Sequence, residues 1–135
     1  MKKLLLLLLL IPNLLMADLD AELEFCNSAL VTIQKSAKWG IELKNKFIKK
    51  CPATNLSEEC FNRSNQIRKG IEDKANKIKL GMLKTKKTQQ GVLLTEYWVY
   101  MWHMGALKGF NIFDENKSAE TIALNIYDEC KGFVF

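Results

Sequence analysis

Histidine, arginine and proline are scarce in this sequence, and each scarcity removes a class of function. His103 is the only histidine, so acid–base chemistry built on imidazole would rest on that single ring. Arg63 and Arg68 are the only arginines. Nucleic-acid and phosphate recognition favours the rigid guanidinium fork, so a positive charge made almost wholly of lysine argues against a nucleic-acid partner. Pro12 and Pro52 are the only prolines. Asn-Gly and Asp-Gly dipeptides are absent, and no stretch sustains a polar–apolar alternation, so β-hairpins have no signal and helix is the default. No Cys-x-x-Cys pair occurs, which leaves zinc without its usual ligand spacing. No metal and no cofactor is expected.

What is present begins at Met1-Lys2-Lys3. An unbroken apolar run, Leu4 to Ile11, follows it, then Pro12-Asn13 and Leu14 to Ala17. A positive start, a short greasy segment, a helix breaker and a small residue at the cut form the secretory leader pattern. The run is too short for a spanning helix, which needs about 20 apolar residues. Cleavage near Ala17 would release residues 18–135 as a single domain in a periplasmic or secreted location. Without Lys2 and Lys3 the formal charge falls from +5 to +3.

The mature part reads as all-α: a bundle of about four helices. Leu19, Leu23, Cys26, Leu30, Ile33 and Ala37 recur at steps of four and three, one face of a helix from Asp20 to Lys50. Gly40 offers a point for a kink. Pro52 ends that helix, and Ser57 caps a second, Glu58 to Leu83, with Glu58 and Glu59 in its first turn. These two form a long helical hairpin. From Arg63 to Lys87 the chain carries nine basic and two acidic residues, a solvated face or a surface for something anionic. Lys84 to Gly91 reads as a loop. Val92 to Phe110 is aromatic on nearly every side, with Trp98, Tyr100, Met101, Trp102 and Met104, as a centrally buried helix would be. Gly105 and Gly109, four apart, allow another backbone to approach. After a loop from Asn111 to Lys117, Ser118 caps a last helix, Ala119 to Lys131. Gly132 is read as its stop, and Phe133 to Phe135 as a tail tucked into the bundle.

An even cysteine count in an exported domain implies two disulfides. On a continuous first helix Cys26 and Cys51 lie about 37 Å apart, whereas a disulfide requires Cα atoms within about 7 Å. Cys60 lies just across the turn from Cys51, so Cys26 reaches neither. The pairing left is Cys51–Cys60 across the hairpin and Cys26–Cys130 tying the first helix to the last. The long-range bond would contribute about 4 kcal/mol.

Glu96, Tyr100 and His103 share a helical face and are the only candidates for acid–base work, but no nucleophile accompanies them. An enzyme is not expected. Asp114-Glu115-Asn116-Lys117-Ser118 contains an Asn-x-Ser acceptor, so Asn116 is a candidate glycosylation site.

Trp102-His103-Met104-Gly105, continuing through Gly109 to Asn111, and later Tyr127-Asp128-Glu129-Cys130, resemble small secreted helical proteins of proteobacteria. These are the HdeA-like periplasmic acid-stress chaperones and the Tai-type immunity proteins. The resemblance covers about the last forty residues. It implies a periplasmic binding protein. Trp98, Trp102, His103, Gly105, Gly109 and Asn111, on and just after the aromatic helix, are candidate partner-binding or structural residues. The leading expectation is a module that binds another envelope or secreted protein as an inhibitor, immunity partner or accessory factor. An acid- or stress-responsive chaperone is the alternative, and peripheral attachment to an anionic surface through the lysine face a further one.

Overall fold

The computed structural model describes residues 12–52, 54, 57–113 and 117–134, with side chains between Glu24 and Cys130. Four helices account for nearly all of them: α1, Pro12–Lys50; α2, Glu58–Leu83; α3, Gln89–Phe110; and α4, Ala119–Val134. The all-α fold read from the sequence holds. Among the described residues no helix is long and apolar enough to cross a membrane.

Helix ends follow local chemistry. Ser57 Oγ accepts from the Cys60 N–H at 3.2 Å and opens α2. Ser118 Oγ accepts from the Thr121 N–H at 3.2 Å ahead of α4. Four boundaries depart from the sequence reading. α1 begins at Pro12 rather than Asp20, because proline lacks an N–H that the first helical position does not need. α1 also runs unbroken through Gly40. α3 begins at Gln89, inside the expected Lys84–Gly91 loop, because Thr88 Oγ accepts from the Gly91 N–H at 3.0 Å and supplies a cap. α4 continues past Gly132 to Val134. A glycine ends a helix by adopting a left-handed conformation, and no described glycine has a positive φ. Met1–Ile11 of the expected leader 1–17, Asn116 and Phe135 lie outside the described residues, as do the side chains of the rest of the leader and of Phe133 and Val134.

α1 and α3 run parallel, with Phe25 stacked beside Tyr97 and Phe47 edge-on to Phe110. α4 runs antiparallel on α1. Cys26–Cys130 joins them at one level, with a Cα separation of 6.0 Å, and Gln34 Nε2 donates to Glu120 Oε1 at 3.0 Å at another. The Glu120 carboxyl is held below the usual carboxylate range, first by a backbone N–H at the start of α4 and then by Gln34. α2 packs on α3 rather than on α1 and is tied to α1 by Cys51–Cys60, with a Cα separation of 5.6 Å. Both expected disulfides are therefore formed.

Two buried clusters result. One, around Ile33, Met101, Ile126 and the Cys26–Cys130 bridge, fills the space between α1, α3 and α4. The other, around Phe47, Ile71, Trp102, Phe110 and the Cys51–Cys60 bridge, lies between α1, α2 and α3. Trp98 touches both.

A seam of small residues lets α1 and α3 meet backbone to backbone. A methyl group added at Gly40 would collide with the Ala106 carbonyl oxygen and lie 3.0 Å from the Phe110 nitrogen. One at Gly105 would strike Ser36 Oγ, and one at Gly109 the Ala37 carbonyl. Gly40 is thus a contact point and not a kink. The four-residue spacing of Gly105 and Gly109 serves the close approach expected of it.

Candidate functional site

The most distinctive concave surface sits at the corner where α1 turns into α2. Three features of the sequence build it. Pro52 stops α1, the Ser57 cap starts α2 one short turn later, and Cys51–Cys60 fixes the two ends together. The connection after α3 then passes over this corner. Asn111 closes α3, its N–H donating to the Lys108 carbonyl at 3.4 Å. Its Oδ1 accepts from the Phe113 N–H at 3.1 Å, a local side-chain-to-backbone turn that holds Phe113 at the edge of the corner.

The cleft so formed has a volume of about 440 Å³. Phe47, the disulfide and Ser64 form its floor, Phe61, Ile112 and Phe113 its walls, and Asn65 and Arg68 one rim. Phe61 is 66% exposed and Phe113 71% exposed, the two highest values among the large apolar side chains described. Asn65 and Arg68 also border a second, more open depression of about 610 Å³ between α2 and α3, lined further by Lys69, Glu72, His103 and Leu107.

The candidate residues from the sequence fall into two groups. Trp102 is buried against Trp39, with ring centroids 5.7 Å apart, and Gly105 and Gly109 are buried in the α1–α3 seam. Their roles in the fold are structural. His103 and Asn111 reach the surface beside the corner. Glu96 and Tyr100 are exposed on the same helical face as half-buried His103, and no described hydrogen bond joins Glu96 to His103. All four thiols are consumed in disulfides. Among the described residues no cluster of three or more His, Cys, Asp or Glu side chains could hold a metal ion. The corner thus offers apolar walls, a cross-linked floor and a polar rim, which is the equipment of a binding surface.

No protein-family model, curated protein or solved structure matches the chain. Its site is therefore defined by geometry alone. Phe61, Ile112 and Phe113 were not among the residues singled out from the sequence. The available signals were small: Phe61 falls off the apolar stripe of α2, and Ile112 and Phe113 are an apolar pair in a loop whose other residues are polar.

Proposed function

We propose that the chain is an exported, disulfide-braced helical module that binds another envelope or secreted protein through the cleft at the α1–α2 corner. The observation that carries the reading is the pair Phe61 and Phe113. Aromatic side chains, phenylalanine among them, are enriched at protein interfaces relative to the rest of the surface. Here the concavity is rigid because a disulfide forms its floor. The export half of the reading draws on the two disulfides, which persist in oxidising compartments, and on the leader pattern of residues 1–17. The resemblance of Trp102–Asn111 and Tyr127–Cys130 to small periplasmic proteins agrees with a binder of the inhibitor, immunity or accessory type.

Photo-crosslinking side chains placed singly at positions 61 and 113, and at the distant exposed Leu124, test the proposal in the producing cell. Sites 61 and 113 should yield one shared crosslinked species that position 124 does not. A species common to all three positions, or none from 61 and 113, refutes it. Mass spectrometry of the same material should find a mature chain beginning near Asp18.

A further inference from the structure

A second groove lies on the opposite side of α2 from the Phe61 cleft, between α1 and α2, and its charge is one-sided. It encloses about 520 Å³. Leu43, Phe47 and Ile67 form an apolar floor, and Lys46, Lys49, Lys50 and Arg63 stand around it. Among the described residues no acidic side chain lines it. Two consecutive helices joined by a short turn and a disulfide would ordinarily close their apolar faces on each other. Instead both pack on α3, and the banks facing across the gap carry like charges, which repel.

These cations have no structural employment that explains them all. Lys49 and Lys50 complement the dipole at the end of α1. Lys46 lies a turn earlier, and Arg63 lies near the start of α2, where the dipole disfavours a cation. Glu42 and Glu59 each stand one turn before a groove cation, yet among the described residues the ion pair formed is Lys108 with Glu129, elsewhere in the fold. Outside the groove's lining, Lys74 meets α1 over the face of Trp39, 4.2 Å from the ring centroid, again a cation on α2 with no ion pair to α1 among the described residues.

From this geometry we infer that the α1–α2 groove is a docking site for an acidic polypeptide segment carrying apolar side chains. Charge complementarity sets the sign of the occupant, and the Leu43–Phe47–Ile67 floor requires that it also present apolar groups. Leu43 to Lys50 spans about 10 Å of helix, so the cations call for several anionic groups in a row rather than one headgroup. Three of the four are lysines, which suit carboxylates as point charges and lack the fork that favours phosphate. The cations surround a concavity, where a flat bilayer surface cannot engage both banks together. The inference stands apart from the Phe61 cleft and survives or fails without it.

The test uses the purified protein and a fluorescein-labelled peptide of alternating glutamate and leucine, read by anisotropy at low and physiological salt. Binding should be saturable and weaken with salt. K46E/R63E should weaken it by about tenfold or more. K84E/K87E, an equal charge change on the exposed α2–α3 connection, should change it less than about twofold, as should F61A. A glutamate–serine peptide should bind more weakly than the glutamate–leucine one. Equal weakening by both charge pairs, equal affinity for the serine peptide, or no peptide binding, with or without binding to phosphatidylglycerol vesicles, would overturn the inference. Circular dichroism of the variants keeps misfolding apart from loss of the site.

Discussion

The same glycine-to-alanine substitution should have opposite signs at different points of this fold. In a helix interior alanine is preferred over glycine by about 0.5–1 kcal/mol. Gly70 and Gly81 lie inside α2, where among the described residues an added methyl meets nothing within 4 Å apart from the helix's own backbone. G70A and G81A should therefore each stabilise by about that amount. Gly40 sits inside α1 with the same intrinsic gain available. There the methyl would be driven into the Ala106 carbonyl and the Phe110 amide, backbone atoms of a helix packed on three neighbours. Overpacking of this kind costs about 1–3 kcal/mol, and the rigidity of the obstacle places Gly40 at the upper end. The net effect of G40A is a loss of about 2 kcal/mol. At a slope of about 1–3 kcal/mol per molar, the urea midpoint should fall on the order of 1 M. G109A, which attacks the same seam from α3, should be similarly destabilising. The double variant should cost less than the sum, because a seam already forced open has less contact left to lose. Equilibrium urea unfolding of wild type, G40A, G109A, the double variant and G70A decides the matter. A G40A midpoint at or above wild type would refute the backbone-contact reasoning outright.

Two further predictions concern cross-links and titration. Removing Cys26–Cys130, which spans 104 residues, should destabilise by about 4.7 kcal/mol, and removing Cys51–Cys60, which spans nine, by about 2.6 kcal/mol on chain entropy. Denaturation of the C26A/C130A and C51A/C60A proteins should keep that order, and a reversed order would discard the entropic account. Tyr97 is raised above its ordinary value of 10.0, first by burial, then by the Glu129 charge and then by Tyr100. Its folded form holds the proton more tightly than its unfolded form. The resulting stability is fully present below pH 10 and is lost as pH climbs through the folded value. Ultraviolet titration should show a late-appearing phenolate that is absent in Y97F; an unchanged late component in Y97F would contradict it.

Much of this arrangement was legible in the sequence because helices are rods of known length. Once Cys26 and Cys51 lie on one rod, their pairing is impossible and the two remaining partners follow. The glycine spacing at 105 and 109 announced a close approach for a similarly local reason. Gly40 misled because flexibility and thinness have the same sequence signature, and only the position of α3 distinguishes them. Thr88 was hidden in a polar run where a cap looks like loop. The corner cleft was less legible still. Phe61 and Phe113 are 52 residues apart in a chain whose periodicity reports which face of a helix is apolar, not which loop will settle beside it. The α1–α2 groove depends on the register of two helices that pack on a third, so the facing of Lys46 and Arg63 has no local trace.

The bridge between Cys26 and Cys130 also sets a timetable. A polypeptide leaves a ribosome or a translocation channel amino end first, so Cys26 waits while 104 further residues are made for its mate to emerge. Cys51 and Cys60 arrive meanwhile as near neighbours and find each other quickly, which removes the two wrong partners from Cys26's reach. Order of emergence thereby protects the pairing, and a mutation that delayed the short bridge would be expected to scramble the long one.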